Sequence, residues 1–318
     1  MRMIKLPSGT HIPFMKWRAI AISISIITAI GSVVLFATVG MNFGIDFRGG
    51  TVVELRFKEP VPIAEIRREV GELSLGDVQI VEFGASTDVL IRVAEQPGGD
   101  EAQQAVVIAL REMFEDRAEF RRVEVVGPRV SSELTRNGII GVLAALAAIM
   151  VYIWFRFEWQ FAIGAGLTTL HDVILTIGLY SLTQLEFNLT SIAAVLTIVG
   201  YSLNDTVIVY DRLRENLRRY KRMPLPELID TSINEMLSRT VMTSLTTVLA
   251  LVGLVTFGGE VIRSFTIAMI FGVAVGTFSS IFVAAPILIG LNLRPQKKGG
   301  DKDAADTGDA DDTAAAKA

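Results

Sequence analysis

The sequence predicts a polytopic α-helical membrane protein with six transmembrane helices and one small α+β domain outside the bilayer. Three observations point there. Six long apolar runs punctuate the chain, each near the ~20 residues a helix needs to cross a hydrocarbon core. A single stretch, residues 40–137, mixes acids and bases and alternates between strand-like and helical periodicity. Basic residues gather between some of the runs and avoid others.

Composition alone would not decide this. A hydrophobic share of 51% over 318 residues also suits a soluble protein, so the uncharged runs carry the argument. The net charge of -4 conceals segregation, with bases in a few short segments and acids in the C-terminal tail. The absence of cysteine removes any disulfide framework or thiolate metal site. Two histidines, His11 and His171, are too few for a His-based metal centre, so neither metal nor cofactor is expected.

The first run, 19–39, exceeds the about 7–15 residues of a signal-peptide core, and no A-x-A-like site follows it. It is therefore read as a retained span. The others are 138–155, 161–182, 190–210, 240–257 and 264–291, and an even number of crossings puts both termini on one side. Arg2, Lys5, Lys16 and Arg18 lie in segment 1–18. Arg212, Arg214, Arg218, Arg219, Lys221 and Arg222 lie in 211–239, and Arg294, Lys297 and Lys298 in 292–318. The positive-inside rule places all three segments in the cytoplasm. Residues 225–239 carry Leu228, Ile229, Ile233, Met236 and Leu237 on one side and read as an amphipathic helix along the cytoplasmic surface. The basic run at 212–222 is taken to fix topology rather than to bind a partner. Beyond residue 299 no bulky apolar side chain occurs, so the tail is expected to be disordered and is assigned no function.

Within 40–137, residues 51–57 (TVVELRF) alternate as a strand, and 62–73 place Ile63, Ile66 and Val70 at helical spacing. Strands at 77–83 and 87–94 flank a turn at Gly84. A helix over 100–114 and a strand over 120–126 complete the order βαββαβ, a ferredoxin-like unit. It contains no catalytic dyad, phosphate loop or basic–aromatic stripe, so neither an enzyme site nor nucleic-acid binding is expected.

Ionisable groups inside the spans carry the functional signal, because each costs about 2.5–3.5 kcal/mol to insert. Asp172 sits in the third run with Thr168, Thr169 and Thr176 on its helical face. Two roles stay open for it: hydrogen bonding to a neighbouring helix, or transport. His171 is adjacent in sequence and is expected to point elsewhere, against a His–Asp relay. Asp205 lies in the fourth run, with Tyr201 and Ser202 on its face and Asn204 and Thr206 beside it. Arg239 opens the fifth, with Thr243, Thr246 and Thr247 above it. A carboxylate that alternately meets and loses an arginine can take up and release a proton. The competing reading is a static ion pair between two helices. The G-x-x-x-G at Gly272 and Gly276 points to close helix contact, more simply internal than between chains.

Residues 43–51 (FGIDFRGGT) resemble the D-F-x-G-G segment of the SecD/SecF family, and 200–216 (GYSLNDTVIVYDRLREN) are similar to that family's most recognisable segment. Residues 238–240 and the His171–Asp172 pair match as well, and the resemblance spans roughly 41–290. It implies one six-helix half of a resistance–nodulation–division (RND) bundle in the bacterial inner membrane, with residues 40–137 periplasmic. It further implies SecD as partner for the other half, the SecYEG channel, YajC in some bacteria, and preprotein substrates moved with the proton motive force. Asp205 and Arg239 match positions of the family's proton path. Asp46, Gly49 and Gly50 would form the joint transmitting motion to the external domain, or simply a turn after a helix. The alternative is half of an RND-type small-molecule or lipid exporter.

Overall fold

The computed structural model describes residues 10–291 and 293. The readings for Arg2, Lys5, Arg294, Lys297, Lys298 and the acidic tail lie outside the described residues. A short 3-10 turn, Phe14–Trp17, leads into α1 (Arg18–Thr38). A four-residue helix, α2 (Ile45–Arg48), then precedes the external domain.

That domain runs β1 (Gly50–Phe57), α3 (Ile63–Glu72), β2 (Val78–Phe83), β3 (Ala85–Val93), α4 (Gly99–Phe114) and β4 (Ala118–Val126). The sheet order is β2-β3-β1-β4 with every neighbour antiparallel, as in a ferredoxin-like unit. Strand alternation sorts the side chains. Val53, Leu55, Val89 and Ile91 face α3 and α4 and meet Ile66, Val70, Leu110 and Phe114. Val52 and Leu90 point the other way and bury against Ile45 of α2. Both faces of β1 are therefore covered, which explains its unbroken apolar start.

Six helices are long and apolar enough to cross a membrane. After α1 they are α5 (Pro128–Arg156), α6 (Trp159–Thr183), α7 (Leu189–Arg219), α8 (Leu225–Phe257) and a sixth in three pieces. The sixth comprises α9 (Arg263–Ser279), a π turn (Ser280–Ala284) and α10 (Ala285–Gly290). Pro128 starts α5 ten residues ahead of the expected 138, so the helix grows directly out of the domain.

Helix α7 is the centre of the bundle, packed on α6, α8 and α9. A Cβ at Gly276 would lie 3.2 Å from the Ser202 Cα, and one at Gly272 would lie within 2.3 Å of Ile198. The G-x-x-x-G thus serves the α7–α9 contact inside the chain. Half of the most apolar window of α7 is buried against 6% for α5 and α8, so those two present open faces.

Two readings of the cytoplasmic connection need correction. Residues 211–239 are not a basic loop followed by a surface helix. Helix α7 continues to Arg219 and α8 begins at Leu225, leaving 220–224 as the turn. No glycine or proline occurs in α8 between Pro226 and Gly253, so its hydrogen-bond ladder runs unbroken into the span. Its apolar side chains Leu228, Ile229 and Ile233 pack in the core with Leu213 of α7 rather than lying on a bilayer. Arg212 Nε donates to Glu235 Oε2 at 2.6 Å, and Met15 N donates to Asp230 Oδ1 at 2.8 Å, fastening this extension to its neighbours.

Candidate functional site

A buried polar layer lies where α6, α7, α8 and the π turn meet. Asp172, fully buried on α6, accepts hydrogen bonds at Oδ2 from Ser202 Oγ of α7 and, at 2.8 Å, from Ser279 Oγ of α9. Its Oδ1 lies 2.9 Å from His171 Nδ1. This overturns the expectation that His171 points away. Adjacent helical side chains diverge by about 100°, but an imidazole and a carboxylate are long enough to fold toward each other across that angle. Among the described residues, the threonine stripe on the same face bonds neither the carboxylate nor a neighbouring helix. Thr168, Thr169 and Thr176 donate to the carbonyls of Gly164, Ala165 and Asp172 on their own helix, at 2.8, 2.9 and 2.8 Å. Helical threonine readily satisfies itself this way, so the hydroxyls reaching the Asp172 carboxylate are serines from other helices.

Asp205 is 3% exposed on α7. Its Oδ2 accepts from Ser280 Oγ, the first residue of the π turn, at 3.1 Å. From α8 the buried Thr240 lies beside the same carboxyl, its hydroxyl making no hydrogen bond among the described residues. Arg239, the preceding residue, is exposed, and among the described residues no ion pair joins it to a carboxylate. The expected Asp205–Arg239 contact is therefore not formed in this state.

The other candidates divide. Tyr201 donates through its hydroxyl to Ser244 Oγ of α8 at 3.3 Å, and Ser202 serves Asp172 instead of Asp205. Thr206 is buried beside Asp205 with its hydroxyl unpartnered, whereas Asn204 is exposed. Thr243 is exposed and donates to the Arg239 carbonyl at 3.1 Å. Sequence reasoning missed Ser279 and Ser280. Their only signal was a serine pair inside an apolar run, which names no partner.

On the outer side, Asp46 Oδ2 accepts from the backbone N–H of Leu189 at 2.9 Å, at the first residue of α7. Gly49 and Gly50 have φ of +73° and +123°, and a Cβ on Gly50 would come within 2.4 Å of the Val93 carbonyl. Gly44 N donates to Phe187 O at 2.9 Å and Phe187 N to Asn42 O at 2.8 Å. Arg92 of β3 pairs with Glu186 in the same α6–α7 connection. The domain thus grips the connection between the two carboxylate-bearing helices at several points.

This geometry can be set against known proteins. Residues 106–294 match the family described as "Protein export membrane protein SecD/SecF, C-terminal", and residues 34–61 match the SecD/SecF GG motif. The chain belongs to the SecD/SecF family. The GG-motif match includes Asp46, Gly49 and Gly50, and the larger one includes Asp172, Asp205, Arg239 and both serines. Among SecD/SecF relatives, the protein translocase subunit SecF of Rickettsia akari is 45% identical over 89% of this chain and 92% of its own. SecF of Magnetococcus marinus is 46% identical over 91% and 95% respectively. The SecDF subunit of Brucella abortus is 46% identical over 98% of this chain but 41% of its own length. The crystal structure of SecDF from Thermus thermophilus, described as translocon-associated, superposes with a TM-score of 0.82 at 35% identity, covering 92% of this chain and 40% of that one. The chain therefore spans less than half of the SecDF relatives and nearly all of the SecF ones. A family of protein export membrane proteins displaces the exporter alternative.

Proposed function

We propose that the chain is a SecF-type subunit that works with a SecD-type partner to couple the proton motive force to preprotein movement across the bacterial inner membrane. The placement of Asp205 carries this reading. Its carboxyl is buried at the centre of the bundle among hydroxyls, with no cation in contact among the described residues. A carboxylate in such surroundings exchanges its proton when a cation approaches or leaves. Arg239 immediately precedes Thr240, and neighbours on a helix point about 100° apart. A rotation of α8 by that amount would replace the Thr240 hydroxyl with the guanidinium. Asp172 is the second carboxylate of the same layer.

The outer contacts give such a motion somewhere to go. Asp46 holds the start of α7 and Arg92 holds Glu186, so displacement of α7 reaches the external domain. One charge crossing the membrane is worth about 2.3 kcal/mol per 100 mV, so a few protons suffice to bias the domain between two poses. In this reading residues 1–18, 211–239 and 292–318 are cytoplasmic and 40–137 periplasmic, as the basic residues favour. Arg239 and Thr243 lie on an open face of α8, costly against lipid, and the SecD-type chain is the cover that face calls for. The further partners are the SecYEG channel, YajC in some bacteria, and the preprotein itself.

Photocrosslinkers at Asn204 and Thr243 test the partner. Capture of a SecD-type chain supports the assignment, and capture of lipid alone or of a second copy overturns it. Reporters fused near Gly98 and Lys221 test the orientation, which fails if Gly98 reports cytoplasm.

A further inference from the structure

The two buried carboxylates sit on different helices yet meet adjacent residues of one turn. Ser279, the last residue of α9, donates to Asp172 Oδ2 at 2.8 Å. Ser280, the first of the π turn, donates to Asp205 Oδ2 at 3.1 Å. Because neighbouring helical side chains diverge by about 100°, one serine pair reaches both α6 and α7. A second thread runs through Ser202, which donates to Asp172 from α7, one turn before Asp205.

Each serine of this pair also has an alternative acceptor on its own helix. Ser279 Oγ lies 3.2 Å from the Gly276 carbonyl, and Ser280 Oγ lies 3.0 Å from the Thr277 carbonyl. A hydroxyl has one proton to donate, so a serine committed to a carboxylate gives less to its carbonyl. The π geometry widens the backbone where these choices are made, and π turns inside helices occur frequently at functional sites. His171 Nδ1 faces Asp172, while its Nε2 is buried without a partner among the described residues.

We infer that Ser279 and Ser280 are positioning residues that join Asp172 and Asp205 into one unit whose two carboxyls titrate together, with His171 attached to it through Asp172. The inference rests on the relay reading of Asp205 and deepens it. When Asp205 takes up a proton, its carboxyl becomes a donor, and Ser280 turns to the Thr277 carbonyl. The backbone shared with Ser279 passes that change to the hydrogen bond held by Asp172. The proton that enters Asp205 is the one that later leaves, and neither serine gives up its own. The other titratable groups of this layer are Arg239 on α8 and the phenols of Tyr201 and Tyr210, which bond Ser244 and the Ala284 carbonyl. After Arg18, helix α1 carries no titratable side chain, and α5 has Tyr152, exposed, as the titratable residue within its span. Between 264 and 291 the sixth helix carries no titratable side chain.

The test follows the carboxyl C=O stretch by infrared difference spectroscopy across pH, on the full-length chain purified with its partner and placed in lipid nanodiscs. Asp172→Asn and Asp205→Asn assign the two bands. Asp205→Asn is expected to move the Asp172 midpoint by about one pH unit, the mark of interacting sites. In a Ser279→Ala/Ser280→Ala background the same change is expected to move it far less. Ser279→Thr and Ser280→Thr, which keep the hydroxyls, are expected to retain the coupling. A merely structural role for the serines predicts altered stability with the coupling intact. An Asp172 midpoint indifferent to Asp205→Asn, or coupling that persists in the alanine pair, overturns the inference. If the alanine pair does not assemble, Ser280→Ala alone supplies the same comparison. The spectra need no export, so failure here is distinct from failure of the relay, which shows in the gradient response.

Discussion

The Asp46 carboxylate accepts a hydrogen bond from the Leu189 N–H, tying the segment after the first span to the first residue of the helix that carries Asp205. A negative charge at a helix N-terminus contributes about 0.3–1 kcal/mol. Asn188 caps the same end through a capping box with Ser191, so removing Asp46 loosens the helix start without unravelling it. Asp46→Ala is therefore expected to speed hydrogen exchange at residues 189–191 by about twofold to fivefold, and to weaken the export response more than the amount of complex. Unchanged exchange at those amides would show that Asp46 is not the link.

Gly50 requires its glycine on two counts, a φ of +123° and the Val93 carbonyl 2.4 Å from where a Cβ would sit. Gly50→Ala is expected to destabilise the sheet by about 1–3 kcal/mol, seen as lost exchange protection in β1 and its partner β3. A Cβ added to Gly71 in α3 would meet no atom within 4 Å, so Gly71→Ala is the control. It is expected to stabilise by about 0.5–1 kcal/mol. Similar behaviour of the two variants would remove the steric account of the joint.

The six-helix plan and the βαββαβ unit were legible because both are written in hydrophobic period. A run such as 190–210 has one reading at that length, and alternation in TVVELRF has one reading at its own. The carboxylates were legible for a different reason, since charge inside a span is expensive wherever it occurs. Their partners were not. Which hydroxyl meets Asp172 depends on the rotation of α7 and α9 about their axes, and that is set by Gly272 and Gly276 packing on Ile198 and Ser202. Thr168, Thr169 and Thr176 share the Asp172 face by spacing, yet each donates to a carbonyl of its own helix. The continuation of α8 through 239 was hidden by a polarity change that binary pattern reads as a boundary and the backbone ignores.

In the external domain, Arg56 and Asp88 face each other across β1 and β3, with Arg56 Nε donating to Asp88 Oδ1 at 2.7 Å. That hydrogen bond holds the Asp88 carboxyl below the usual carboxylate range. A carboxyl with a depressed folded-state pKa contributes stability above its unfolded value, about 3.9, and loses it as pH falls through the folded value. Exchange protection of β1 and β3 is therefore expected to decline from about pH 4 downward. Asp88→Asn should lower protection at neutral pH and remove this part of the acid dependence. An Asp88→Asn domain with the same protection and the same acid profile would show the pair to be inert.

The relay makes the sharpest demand on the site. Asp205→Asn is nearly isosteric and keeps an acceptor for Ser280, so the complex should assemble while the carboxyl can no longer exchange a proton. Export of a slow preprotein in inverted vesicles should then lose its response to a proton gradient. Arg239→Ala should fail too, for a different reason: Asp205 retains its carboxyl but has no cation to draw the proton off. Arg239 is exposed and unpaired with any carboxylate among the described residues, so its removal should leave assembly nearly intact. A static ion pair predicts the opposite pattern, in which each single change destabilises the complex and the combination of Asp205→Asn with Arg239→Ala restores it. The two accounts separate on one gel and one export assay. An assembled Asp205→Asn complex that still responds fully to the gradient ends the relay. Rescue by the double change shows that the pair does form, in another state, and that its purpose is to hold α7 against α8.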